Sequence, residues 1–212
     1  MAVILQHNLG RRADAVVALM ETAKEQKADV VLVQEPPALD GSKQPAFEFL
    51  RAGGVLTARR IDSEWTISTQ NSFPRDTDGD VQALALGRRG HRGREARLVN
   101  VYQQGTGRQH RARNAEDARW DEILLEDCIV VGGFNALSPV WIPRRTQRRD
   151  AKFLEDLIAT HELAVKNDDQ VRSPIVNATA LSTSPWQHQR QPHSARDGKF
   201  WMRRKPQGRT TW

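Results

Sequence analysis

The sequence predicts an α/β domain in which two packed, mixed β-sheets are flanked by helices. Its first elements are a strand, an amphipathic helix and a wholly apolar strand, an order typical of α/β domains. The middle of the chain alternates apolar and polar residues, which indicates strands joined as antiparallel hairpins. A later apolar run ends in a glycine-containing loop. Interleaved helices and hairpins of this kind favour four layers, with the two sheets inside and helices outside.

The first three elements follow from hydrophobic periodicity. Residues 3–8 form the first predicted strand, and Asp14 can cap a helix that runs to about Lys27. Apolar residues recur on one face of this helix at i, i+3, i+4 and i+7, namely Val16, Leu19, Met20 and Ala23. The run of residues 30–33 is apolar throughout, which predicts a strand that is buried on both faces. Two prolines, Pro36 and Pro37, end it.

The remaining elements are less regular. Further strands are predicted at residues 65–69, 81–86, 96–102 and 128–131, and helices within 108–125 and over 151–163. Periodicity fails after Ser182, so the end of the chain is either irregular or a degraded piece of the fold. The predicted domain therefore spans residues 1–202, degraded after about 182, and residues 203–212 form a basic tail.

The charge of the chain favours a polyanionic partner. It has 212 residues, a formal net charge of +6 and a pI near 10.0, and 25 Arg with 7 Lys make up its 32 basic residues. Because guanidinium binds phosphate through two parallel hydrogen bonds, this bias predicts DNA or another nucleic acid as the partner. A solvated basic surface, or a genome rich in arginine codons, would give the same composition.

The single cysteine, Cys128, lies inside an apolar strand. A disulfide within the chain is therefore excluded, and a reducing compartment, nuclear or cytoplasmic, is expected. A buried structural thiol is the more common role for such a residue than catalysis. No run approaches the ~18 apolar residues that span a membrane, and no signal peptide is recognised at the N-terminus.

Polar residues recur where the apolar strands end. Asn8, Glu35, Tyr102 and Asn135 each follow or close such a strand. Taken singly, each has an ordinary structural explanation: a turn former, a solvated carboxylate or a half-buried aromatic side chain. Together, they predict that several strand ends bring their side chains into one site, because a sheet holds the residues at its strand ends rigidly.

Three motifs at these strand ends carry a family resemblance. They are Gln6-His7-Asn8, Gln34-Glu35-Pro36 and the nine-residue stretch Gly-Phe-Asn-Ala-Leu-Ser-Pro-Val-Trp at 133–141. In this order they resemble the endonuclease/exonuclease/phosphatase superfamily, and in particular the endonuclease domain of fungal non-LTR (LINE-type) retrotransposons. The resemblance covers residues 3–202. It implies a DNase I-like sandwich and a Mg²⁺-dependent DNA endonuclease.

The resemblance also implies roles for individual residues. Asn8 and Glu35 match the metal-binding amide and carboxylate, and Mg²⁺ is the implied cofactor. Tyr102 and Asn135 match the residues that contact the phosphate. Asp197 matches the acid that orients a closing histidine. These types suit the chemistry, since Mg²⁺ prefers oxygen ligands and binds through one or two carboxylates plus phosphate and water.

Three positions depart from the family pattern. Gly133 stands where the family has the Asp that activates the attacking water, and glycine has no side-chain oxygen. Asn177 stands where a second Asp is expected, and Gly198 stands where the catalytic His is expected. Since a positioned acid or base contributes ~10²–10⁴-fold to rate, these changes predict an impaired or inactive enzyme.

Three functional hypotheses follow from the sequence. The first is a Mg²⁺-dependent endonuclease, impaired or inactive; the second is a non-catalytic, nucleic-acid-binding relic of a retroelement; the third, less favoured, is a phosphatase of the same superfamily. Other residues could restore the missing groups in the first case. The candidates are His7 and His193 as imidazoles and Asp150, Asp168 and Asp169 as carboxylates.

Overall fold

The computed structural model describes residues 2–38, 44–69, 80–91, 95–103, 118–124, 128–134, 149–166, 177–181 and 199–204. Its strands are β1 Ala2–Asn8, β2 Val30–Gln34, β3 Phe47–Ala52, β4 Val55–Arg60, β5 Trp65–Ser68, β6 Val81–Arg88, β7 Ala96–Tyr102, β8 Cys128–Gly133, β9 Leu163–Lys166, β10 Asn177–Leu181 and β11 Lys199–Arg204. Its helices are α1 Asp14–Glu25, α2 Trp120–Ile123 and α3 Arg149–Thr160. In the part of the chain that is described, no helix is long and apolar enough to cross a membrane.

The strands form two mixed sheets. Sheet A has the order β10-β1-β2-β4-β3, and sheet B has the order β5-β6-β7-β8-β11-β9. Each sheet contains one parallel pair, β1 with β2 and β7 with β8, among antiparallel neighbours. The prediction of two mixed sheets is therefore confirmed.

Alternating side chains along the strands build a four-layer sandwich. The outer face of sheet A packs against α1 through Val16, Leu19 and Met20. The inner faces of the two sheets meet through apolar side chains, among them Ile4, Leu32, Leu98 and Val131. The outer face of sheet B packs against α2 and α3 through a cluster that includes Trp120, Leu154 and Leu157. Each sheet is thus buried on both faces, as the apolar run at 30–33 predicts.

The late part of the chain contributes strands to both sheets. Strand β10 pairs antiparallel with β1, where Asn177 lies opposite Gln6. Strand β11 inserts between β8 and β9, where Lys199 lies opposite Gly133. Residues 199–204 are therefore part of sheet B and extend past the expected domain limit at residue 202.

The remaining differences from prediction concern element boundaries, one hairpin and the cap of α1. Asp14 is the first residue of α1 and does not cap it, because Ala13 takes the N-cap position without a side-chain hydrogen bond. Strands β3 and β4 form an antiparallel hairpin that the sequence did not reveal. Helix α2 covers only Trp120–Ile123 of the helix expected within 108–125, whose residues 108–117 and 125 lie outside the described part. Helix α3 begins two residues before the predicted start, at Arg149, and ends at Thr160, so Leu163 belongs to β9.

Adjacent glycines at the end of β8 have different surroundings. A Cβ atom added to Gly132 would lie 2.1 Å from the carbonyl oxygen of Val101, so the parallel pair β7–β8 requires glycine there. A Cβ atom added to Gly133 would make only ordinary contacts of 3.8 Å with the described atoms nearest to it. The fold therefore demands the first glycine and tolerates a side chain at the second.

We expect Gly132→Ala to lower the free energy of unfolding by about 2 kcal/mol or more, because a main-chain oxygen has little freedom to move away. Gly133→Ala is the matched control and should change it by less than about 1 kcal/mol. Urea denaturation of both variants measures the difference. Equal stability of the two would contradict the close approach of β8 to β7.

Candidate functional site

Along the strands, the side chains that lie between the two sheets change from apolar to polar. In β1, the side chains on the inner face progress from Ile4 through Gln6 to Asn8. In β2, they progress from Leu32 to Gln34, which Glu35 follows directly. Apolar packing therefore gives way to buried amides and then to half-buried polar groups at one end of the sandwich.

Four residues from both sheets meet at this end. Asn8 and Glu35 come from sheet A, and Tyr102 and Gly133, which are opposite each other in the β7–β8 ladder, come from sheet B. A Cβ atom on Gly133 would lie 3.8 Å from Asn8 Nδ2 and 3.8 Å from Tyr102 Cδ2. We call Asn8, Glu35, Tyr102 and Gly133 the strand-end site.

A hydrogen bond joins the two polar side chains of sheet A. Asn8 Nδ2 donates to Glu35 Oε1 over 2.9 Å, while Asn8 Oδ1 accepts from the Gly10 N–H over 2.8 Å. Because the Gly10 bond fixes which end of the amide is oxygen, the NH₂ group must face Glu35. The carboxylate is thereby held in one orientation within the strand-end site.

The backbone at Glu35 is clamped in an unusual conformation. Its φ is 48°, in the left-handed region that residues other than glycine rarely adopt. Its N–H donates to the carbonyl of Gly54 over 2.9 Å, and its carbonyl accepts from the Arg11 N–H over 2.8 Å. The Arg51 guanidinium also donates to the carbonyls of the two prolines that follow, over 3.2 and 2.8 Å. The surrounding chain thus enforces a strained backbone that presents the Glu35 side chain.

Tyr102 is fixed by packing between two glycines. Its side chain is buried, and it clusters with Ala52 and Val55 of the β3–β4 hairpin. A Cβ atom on Gly54 would lie 3.1 Å from Tyr102 Cδ1, whereas Gly133 faces the opposite edge of the ring. A side chain on Gly54 would therefore press against the ring, whereas one on Gly133 would begin with an ordinary contact to its opposite edge.

Asp80 is a buried carboxylate beside the strand-end site that sequence reasoning missed. Only 4% of the residue is exposed, and its Oδ1 would lie 2.5 Å from a Cβ atom on Gly54. Its main-chain carbonyl accepts from the Tyr102 N–H over 2.6 Å. Asp80 directly precedes the predicted strand at 81–86, which could have marked it as a strand-end residue. The turn formers around it instead favour a turn.

The structure describes the other candidate residues only in part. Asn135, Asp197 and Gly198 lie outside the described residues, as do His193, Asp168 and Asp169. For Asn177 and Asp150 the structure gives the backbone alone. The register places Asn177 opposite Gln6, and it places Lys199, the residue after Gly198, opposite Gly133.

His7 is a poor replacement for a missing catalytic group. Side chains alternate along β1, and Leu5 packs in the cluster beneath α1. His7 therefore lies on the helix-covered face, whereas Asn8 lies on the inner face. The hypothesis that His7 restores the strand-end site is accordingly wrong on geometric grounds.

The donors at the strand-end site suit a magnesium ion held largely by water and substrate. Glu35 offers a carboxylate that Asn8 orients, and Mg²⁺ commonly binds through one or two carboxylates plus phosphate oxygens. Among the described residues, no group of three or more His, Cys, Asp and Glu side chains could enclose a metal ion. One carboxylate oriented by an amide fits an ion that takes few protein ligands, as Mg²⁺ does.

The fold is similar to several solved structures of DNA-processing proteins. It matches the endonuclease domain of TRAS1, a telomere-specific non-LTR retrotransposon, over 96% of this chain and 98% of the other, with a TM-score of 0.63 and 16% identity. It matches the AP endonuclease LMAP from Leishmania major over 77% and 67%, with a TM-score of 0.57 and 12% identity. It matches D. rerio TDP2 complexed with a single-strand DNA product over 98% and 86%, with a TM-score of 0.51 and 12% identity.

These likenesses show the fold: the chain has the DNase I-like sandwich of these solved structures. The recognition that the sequence motifs suggested is thereby confirmed at the level of the fold. No protein-family model and no curated protein matches the chain.

The strain at Glu35 makes a prediction about stability. Glu35→Ala and Glu35→Gly both remove the carboxylate and its hydrogen bond, but only glycine adopts a φ of 48° without cost. We therefore expect the glycine variant to be more stable than the alanine variant by about 1 kcal/mol in chemical denaturation.

Val17, which is exposed on α1, offers a matched control. There the same pair should differ in the opposite sense, with glycine less stable than alanine by about 1 kcal/mol. A Glu35→Gly variant that is no more stable than Glu35→Ala would show that the backbone carries no strain.

Proposed function

We propose that this chain is the endonuclease domain of a non-LTR retrotransposon lineage that keeps its cation- and phosphate-binding groups and is impaired or inactive in hydrolysis. The observation that carries the proposal is the position of Gly133. It lies beside Asn8 and Tyr102 in the strand-end site and offers no side-chain oxygen to a water molecule. The resemblance implies that an Asp belongs at this place.

The retained groups support binding of a phosphodiester. Glu35, oriented by Asn8, would hold Mg²⁺, which supplies charge neutralisation at a phosphate oxygen when bound. Tyr102, fixed between Gly54 and Gly133, would contact the phosphate, as would Asn135 according to the resemblance. Asp197 matches the acid that orients the closing histidine of the family, but this chain has Gly198 at that place and so no imidazole for Asp197 to orient.

The missing groups account for impaired hydrolysis. Attack on phosphorus needs a water molecule that is held in line and loses its proton to a base. With glycine at 133 there is no such base at that position, and Gly198 and Asn177 replace two further groups that the resemblance calls for. Since groups of this kind act as a unit, rates close to background are expected.

DNA is the proposed partner. The net charge of +6 and the abundance of arginine favour a polyanion, and the retroelement resemblance favours DNA over other polyanions. A nuclear or cytoplasmic location is consistent with that substrate and with a single cysteine that is buried in β8.

Plasmid nicking in Mg²⁺ tests the proposal. We expect the chain as it stands to nick supercoiled DNA at a rate near background. The triple variant Gly133→Asp, Asn177→Asp, Gly198→His should nick at least ~100-fold faster, because a positioned acid or base contributes ~10²–10⁴-fold. A Cβ atom at residue 133 makes only ordinary contacts of 3.8 Å with the nearest described atoms, so the backbone does not forbid a side chain there.

Glu35→Ala in the triple variant is the control, and it should return nicking to background by removing the cation-binding carboxylate. Nicking by the unaltered chain that Glu35→Ala abolishes would contradict the proposed impairment. A triple variant that stays inactive would contradict the retained binding groups.

The second candidate function is a non-catalytic DNA-binding relic, and the absence of a side-chain oxygen at Gly133 favours it as well. It differs in predicting no gain of activity from the triple variant. It also predicts DNA binding that falls steeply with salt and is unchanged by Glu35→Ala, because the contacts would be made by arginine alone.

A further inference from the structure

Five buried polar side chains form a continuous hydrogen-bonded chain between the two sheets. Gln6 Nε2 donates to Gln34 Oε1, and Gln34 Nε2 donates to Asn100 Oδ1 over 2.6 Å. Asn100 Nδ2 donates to Thr57 Oγ1 over 3.4 Å, and that hydroxyl donates to Gln82 Oε1 over 2.5 Å. We call these five residues the amide chain. It joins β1, β2 and β4 of sheet A to β6 and β7 of sheet B.

Backbone carbonyls fix the direction of the amide chain. Asn100 Nδ2 also donates to the carbonyl of Leu56 over 3.1 Å, and Gln82 Nε2 donates to the carbonyl of Leu50 over 3.2 Å. A carbonyl can only accept, so the NH₂ group of Asn100 must face Leu56 and its oxygen must face Gln34. The orientation of Gln34 and then of Gln6 follows from this, and reversing any one amide would place like groups together.

The amide chain lies directly below the strand-end site. Gln34 precedes Glu35, Asn100 is two residues before Tyr102 on the same face of β7, and Gln6 is two residues before Asn8 on the same face of β1. All five members are buried; Gln34, Thr57 and Asn100 are 0% exposed. Between the apolar contacts and the strand-end site, the two sheets are therefore joined by hydrogen bonds.

Hydrogen bonds fix the relative orientation of the groups that they join, which apolar packing does not. Apolar contacts are non-directional, and a buried hydrogen-bond network replaced by apolar groups of similar shape is often equally stable. The contribution of such a network is then to select one arrangement of the groups that it joins. Here the joined groups are the strands that carry Glu35 on one sheet and Tyr102 on the other.

We propose that Gln34 and Asn100 are positioning residues, which set the placement of Glu35 against Tyr102 and so determine how tightly a divalent cation binds between the two sheets. This role rests on the proposed function, because it concerns the cation site of that proposal. The amide chain makes no contact with the cation and acts through the strands that it joins.

The single tyrosine of the chain makes a sharp test possible. Tyr102 is the only tyrosine, so ring-labelled tyrosine gives resonances from this residue alone. Mn²⁺ bound at Glu35 should broaden them at low concentration, and Glu35→Gln should abolish the effect. Titration then yields both an affinity and a measure of how close the ring lies to the ion.

Gln34→Met with Asn100→Leu removes both partners of the central hydrogen bond while keeping similar volumes. We expect at least a tenfold loss of Mn²⁺ affinity and weaker broadening of Tyr102 at saturation, with the melting temperature lowered by no more than about 5 °C. Leu98→Met, an apolar exchange two residues earlier on β7, is the matched control and should leave affinity and broadening unchanged.

A smaller pair of variants covers the case in which the double variant does not fold. Thr57→Val breaks the amide chain with little change of shape, whereas Thr57→Ser keeps the hydroxyl. We expect the first to weaken Mn²⁺ binding and the second to preserve it.

Affinity and broadening equal to those of the unaltered chain, in either the double variant or Thr57→Val, would overturn the positioning role while leaving the proposed function intact. Absence of any broadening that depends on Glu35 in the unaltered chain would overturn the proposed cation site, and the positioning role with it.

Discussion

Two sheets with apolar inner faces pack against each other, and the strand-end site exists only because they do. Ile4 and Leu32 on one sheet meet Leu98 and Val131 on the other, and the same four strands carry or lead directly into the strand-end site. Neither sheet holds a complete set of polar groups. A shift of one strand by one residue would turn its polar end group away from the inner face, since side chains alternate with a period of two.

At Glu35 and at Gly133, the backbone conformation alone does not explain which residue is present. At Glu35 the chain maintains a left-handed backbone with a bulky side chain, anchored by Gly54 and Arg11. Strain of this kind is usually found where a side chain has a task. At Gly133 the opposite holds, because the backbone accepts a side chain and the sequence supplies none. In the proposed function, the residue that would bind the cation is thus held at a cost in stability, and the position that would activate water lacks a side chain.

Strong periodicity explains how much of the fold the sequence could predict. The β1–α1–β2 unit was evident because apolar runs and one helical face dominate it. The β3–β4 hairpin was missed because β3 mixes buried, half-buried and exposed residues without regular alternation. Strands β10 and β11 depend on pairing with β1 and β8, more than 60 residues away along the chain, which no local pattern encodes. Asn8, Glu35 and Tyr102 were found from strand ends, whereas Asp80 was hidden within a turn-rich segment.

A cysteine at position 133 would report directly on whether the two sheets present one site. Thiolate and carboxylate together form a good site for Cd²⁺. If residue 133 faces Glu35 across the sandwich, Gly133→Cys should bind Cd²⁺ at least tenfold more tightly than the unaltered chain, whose Cys128 is fully buried. A second change, Glu35→Gln, should remove that gain. Cadmium binding that is no tighter in Gly133→Cys, or that is indifferent to Glu35→Gln, would show that the strand ends do not meet.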